Sequence, residues 1–158
     1  MSASGEMIQV RPRPIVQEAI DAASAACDCT GTRALRVVLH AGVSAMWLAI
    51  RATPQRQVHT LDLTISALRR RWEGEAGCSG LSAAEWLRDL DAEVGAALDA
   101  CAERSNTQWI EPVTAISAYV LAVFQGAVLR WLADGDDETT LVVLDDLVST
   151  LITKAVDR

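Results

Sequence analysis

Apolar residues recur along this chain at intervals of three and four, in six stretches separated by prolines, glycines or polar clusters. That period is helical. The prolines of "RPRP" at 11–14 open a first helix over about 14–28, with Ile15, Ala19, Ile20, Ala23 and Ala26 on one side. Leu35, Val38, Leu39, Gly42, Val43, Met46, Trp47 and Ile50 predict a second over about 33–52, with Thr32 as N-cap. Thr53 and Pro54 open a third over 54–72, striped by Val58, Leu61, Ile65, Leu68 and Trp72. The glycine-rich "EGEAGCSG" at 73–80 is a loop. The "SAAE" that follows, at 82–85, reads as a capping box for a fourth helix over 83–104. "RSNTQWIEP" is a second loop, and Pro112 opens a fifth helix over 112–133. "ADGDD" ends it, and Asp136 or Asp137 caps a sixth over 138–156. No stretch reads as a strand. The expected architecture is all-α, a six-helix bundle over 14–158 behind a flexible polar segment, 1–13.

The fifth helix, "AISAYVLAVFQGAVLRWL", is apolar nearly all round. Such a helix is central in a bundle or faces two partners. A six-helix protomer of this size has limited room to enclose it, so a second copy is the expected cover. The fifth and sixth helices form a hairpin, and two hairpins across a two-fold axis make a four-helix contact. The face assigned to that contact is Ile116, Val120, Val123, Ala127, Trp131, Leu141, Leu144, Leu147, Val148 and Leu151.

A formal net charge of −7 argues against direct nucleic-acid binding, which needs clustered cations to displace counterions. The one dense basic run, Arg69-Arg70-Arg71, suits a solvated helix end, where the macrodipole is negative. Gln125 and Arg130 inside the fifth helix, and the missing basic flank, argue against membrane insertion. No signal peptide is legible, so the chain is expected in the cytoplasm with free thiols at Cys27, Cys29, Cys78 and Cys101. Cys27-x-Cys29 is too tight for common zinc spacing, and neither metal nor cofactor is expected. No G-x-S-x-G, H-E-x-x-H or phosphate loop appears, so no enzyme activity is expected.

Three segments carry a family likeness. "ATPQRQVHTLDLTISALRRR" at 52–71 resembles the P-x-R-Q turn and following helix of tetracycline-repressor-like (TetR) regulators. "AISAYVLAVFQGAVLRWLADGDDETTLVVLDDLVSTLI" resembles the last two helices of their C-terminal ligand-binding and dimerisation domain, including a G-x-x-L-x-W-L-x-D pattern. The spacing of helices between 14 and 104 fits what lies between. The resemblance implies a small-molecule sensor that dimerises through its last two helices. It also implies a pocket for a hydrophobic small molecule lined by Val43, Met46, Trp47, His59, Leu63, Trp86, Trp109, Tyr119 and Phe124, with Trp109 as a gate. The family's three-helix DNA reader, on the order of 45 residues, does not fit in the thirteen residues before the first helix. The implied chain is thus a regulator's sensing domain without its own reader. The alternative is a shortened, TetR-like interaction protein that pairs with a partner and binds no ligand.

Overall fold

The computed structural model describes residues 13–73 and 82–158. Apart from Arg13 and Glu73, the expected polar leader and glycine loop lie outside the described residues. The elements run α1 (Arg13–Ala26), α2 (Gly31–Arg51), α3 (Pro54–Glu73), α4 (Ala83–Ser105), β1 (Thr107–Trp109), α5 (Val113–Asp134), α6 (Asp137–Thr153) and β2 (Ala155–Asp157). The six helices fall within a few residues of their sequence expectations.

Local chemistry sets most of the boundaries. The Ser82 hydroxyl accepts from the Glu85 amide at 3.2 Å, and the Glu85 carboxylate accepts from the Ser82 amide at 2.7 Å, completing the capping box. Asp136 caps α6 by accepting from the Thr139 amide at 3.0 Å. Gly135, at φ 70°, ends α5 in the left-handed region that glycine enters without a steric cost. The Thr53 hydroxyl donates back to the Ala49 carbonyl and accepts from the Gln57 side chain of α3, whose first amides, of Arg56 and Gln57, donate to the Thr53 carbonyl. One assignment changes. α2 starts earlier than expected, at Gly31, and the Thr32 amide donates to the Asp157 carboxylate at 2.7 Å. The far end of the chain therefore supplies this helix with its N-terminal acceptor.

α2 is the central rod. α1 lies against it, with α4 and α6 on its other sides, and α5 packs on α4 and α6. Gly42 lets α1 come close: a Cβ there would lie 3.3 Å from the Ile20 side chain. Leu35, Ile116, Leu147, Val148 and Leu151 sit at the centre, at most 1% exposed. Each such aliphatic side chain stabilises the fold by roughly 1.5–3 kcal/mol.

The expectation of no strands is corrected by β1 and β2. They pair antiparallel, Thr107 with Asp157, Gln108 with Val156 and Trp109 with Ala155. Asn106, at φ 57°, turns the chain out of α4, and the buried Ser105 and Thr107 hydroxyls bond each other at 2.8 Å. The ribbon ties the end of α6 to the α4–α5 corner and carries Asp157 to α2. The expectation of free thiols is corrected at the end of α1, where Cys27 and Cys29 are joined as a disulfide.

Candidate functional site

The residues assigned to a partner contact divide by which side of the hairpin they occupy. Ile116, Val120, Ala127, Leu144, Leu147, Val148 and Leu151 are buried within the protomer itself. Val123 and Trp131 pack half-buried on the same core. Trp131 is also held internally: its ring meets Trp47 edge-on at 5.1 Å, and its indole N–H donates to Asp137 at 2.8 Å. Asp137 in turn pairs with Arg51. These nine residues form the inner wall of the hairpin, because α2 and α4 already cover that side. Of the assigned face only Leu141 is exposed, at 54%.

The outer side of the hairpin carries other residues. Ala115, Ala118, Tyr119, Ala122, Gly126 and Leu129 follow one another at helical spacing and are all exposed. Only 28% of the most apolar eighteen-residue window of α5 is buried, so the helix remains half open. By length and composition alone, α2 and α5 are each apolar enough to cross a membrane.

The nine residues expected to line a pocket do not meet in one cavity among the described residues. Trp47 is buried against Trp131. Met46, Trp86 and Phe124 are half-buried, and His59 and Leu63 face solvent on α3. Tyr119 is exposed, with the Lys154 ammonium 5.8 Å from its ring centre. Trp109 sits in β1 and lines a cleft of about 320 Å³ with Asp99, Glu103, Gln108 and Arg158. Its indole N–H is buried with no partner among the described residues.

Val43 and Trp47 do share a depression. It is a groove of about 310 Å³ between α2 and α6, shared with His40, Ser44, Leu48, Leu141, Leu144 and Asp145. Its walls are aliphatic and indole. His40 Nε2 and Asp145 Oδ1 meet at 3.3 Å across one end, and the Arg51–Asp137 pair lies one turn beyond Leu48 and Leu141. Leu141 belongs to the face that the sequence assigns to a partner, whereas Leu48 lies beside the inward stripe of α2, where periodicity gives no signal.

α3 differs from the other helices. None of its twenty residues is buried, and it rests lightly on α2, α4 and α5. Its apolar stripe runs along an open edge: Val58, Ile65 and Leu68 are exposed, and Trp72 is 81% exposed. Arg69, Arg70 and Arg71 are exposed at the same end, with the Arg71 guanidinium 6.0 Å from the Trp72 ring centre.

Titration separates structural groups from reactive ones. Burial pushes the Cys101 thiol up to about 12, against the opposing pull of Arg104, so it stays protonated at neutral pH. The Thr139 hydroxyl and amide hold Asp136 below the ordinary carboxylate value, and the Ser82 amide and hydroxyl do the same for Glu85. All three belong to packing or helix caps. What the exterior offers is binding chemistry, in an apolar groove, an open side of α5 and an unburied α3. The chain matches no protein-family model, no curated protein and no solved structure.

Proposed function

We propose that this chain is the dimerisation and small-molecule-sensing domain of a TetR-like transcriptional regulator, acting in the cytoplasm and leaving DNA reading to another segment or chain. The observation that carries this reading is the outer side of α5. It is an apolar rod half covered by its own protomer, whose exposed Ala115, Ala118, Ala122 and Gly126 let a second rod approach closely. The partner face is therefore the outer side of the hairpin, with Leu129 and Val142 as its large apolar contacts, 57% and 60% exposed. The sensing half rests on α3, which touches α2, α4 and α5 lightly and leaves Met46, Trp86 and Phe124 half-buried. A helix seated this way suits a wall that settles onto a hydrophobic ligand.

The test is sedimentation equilibrium with native mass spectrometry on the whole chain. A dimer of the 17.0 kDa protomer is expected, with a retained or added apolar ligand at one per protomer. Ala122→Glu, on the open side of α5, is expected to weaken the dimer at least tenfold with helicity unchanged. A monomeric wild-type chain would refute the reading.

A second reading is favoured by one observation. Trp47 is 3% exposed and packed edge-to-face on Trp131, offering only the floor of an open groove, which fits a protein that pairs and takes no ligand. A dimer that carries and accepts no apolar compound in the same spectra would select it.

A further inference from the structure

Two surfaces that lie open among the described residues complement each other. The first is the open edge of α3, with Val58, Ile65, Leu68 and Trp72 leading to three exposed arginines. The second is the α2–α6 groove, floored by Trp47 and Leu144 and rimmed by Leu48 and Leu141, 61% and 54% exposed. The exposed Asp145 carboxylate closes one end of it, where it meets His40 at 3.3 Å.

We propose that α3 of one copy docks into the α2–α6 groove of a second copy, with Trp72 and Leu68 against Leu48 and Leu141 and the arginine cluster against Asp145. This rests on the reading that the chain self-associates, and it assigns a contact distinct from the outer side of α5.

Three arguments select a second copy as the occupant. Charge comes first. The arginine run is the one dense basic cluster of a chain with net charge −7, and an exposed carboxylate, Asp145, stands at one end of the apolar groove. Opposite charges flanking apolar strips set register and suppress wrong pairings. Length comes second. At 1.5 Å per residue the stripe from Val58 to Trp72 spans roughly 21 Å and the α2 wall of the groove, from His40 to Leu48, roughly 12 Å, so the groove takes the Ile65–Trp72 end of the stripe. The third is mode. An amphipathic helix laid in an apolar groove, read through anchors three, four and seven apart, is a recurring form of recognition. An anionic bilayer is the poorer occupant, because the molecule's net negative charge opposes approach to it.

The contact is two-sided: one copy supplies the helix and the other the groove. That gives a test which separates it from the α5 face. Every chain carries Ala122→Glu, so the α5 contact is removed throughout. Sedimentation velocity and light scattering then follow four samples: this background, the background with Trp72→Glu, the background with Leu48→Glu, and an equal mixture of the last two. Circular dichroism checks helicity in each.

The background is expected to self-associate, more weakly as salt rises. Each added substitution is expected to weaken this at least tenfold. The mixture is expected to recover one-to-one pairing, because the Leu48→Glu chain keeps an intact α3 and the Trp72→Glu chain an intact groove. A monomeric background would overturn the inference and leave the α5 reading standing. A background that stays dimeric and ignores both substitutions would overturn both. A mixture as weak as its components would overturn the two-sided contact. Co-sedimentation with phosphatidylglycerol vesicles, lost in Trp72→Glu and without self-association, would identify a lipid surface as the occupant instead.

Discussion

Asp136 shows how much a single exposed carboxylate does here. It accepts from the Thr139 amide at 3.0 Å and from the Thr139 hydroxyl at 2.6 Å, and so begins α6. Those bonds favour the charged form and hold its pKa below the ordinary value of 3.8. The folded pKa is thus the lower one, and the unfolded chain binds the proton more readily. The stabilisation is full above the unfolded value and lost as pH falls through the depressed folded value. In urea melts between neutral pH and about pH 3, stability is expected to fall with acid in the wild type. Asp136→Asn keeps a side-chain acceptor but cannot titrate, so its curve is expected to be flatter over that window. Equal acid slopes in the two proteins would show that Asp136 does not carry the effect.

Elements in this protein are local wherever their capping is local. The stripes, the "SAAE" box and the acidic turn before α6 are all written within a few neighbouring residues, so six helices are legible from the chain alone. What escaped lies between distant residues. β1 and β2 are three residues each and pair positions fifty apart, Thr107 with Asp157, which no periodicity can report. The cap on α2 comes from the same distant aspartate. Two faces are illegible for a different reason. An apolar stripe tells which side of a helix is greasy but not whether anything covers it, and most of the α3 stripe lies open. α5 is greasy all round, so Ile116 and Ala122 look alike in sequence, although one is core and the other exposed. The α2 junction is open to direct test. Gly31 has φ 70°, and a Cβ there would lie 2.6 Å from the Asp157 carboxylate, which would have to leave the Thr32 amide. Gly31→Ala is expected to cost about 1–3 kcal/mol, from left-handed backbone and a lost cap together. In an Asp157→Ala background the same substitution is expected to cost less, because no cap is left to displace. Denaturant melts of the four proteins close the cycle, and strict additivity would show the two residues to be uncoupled.

At the scale of the whole molecule, acidity and greasiness occupy different places, and that separates the two proposed contacts. The outer side of α5 from Ala115 to Leu129 contains no acidic or basic residue, so its burial is driven by apolar area. Six of the 21 acids lie at the α5–α6 turn and on α6, where they repel a second copy that approaches along α5 and limit how it docks. Salt acts oppositely on the two contacts. Between about 0.1 M and about 1 M ionic strength the screening length falls from about 10 Å to about 3 Å. The α5 pairing is then expected to hold or tighten, since repulsion between two protomers of charge −7 is screened while apolar burial is not. The α3–groove contact draws on Arg69 to Arg71 against Asp145, so it is expected to weaken over the same range. Sedimentation of the wild type across that series reads both at once. A dimer that persists while any larger species dissolves fits an apolar seam with a charged contact added to it. A dimer that itself falls apart in salt would mean that charge rather than α5 holds the copies together, and the small-residue side of that helix would lose its assigned role.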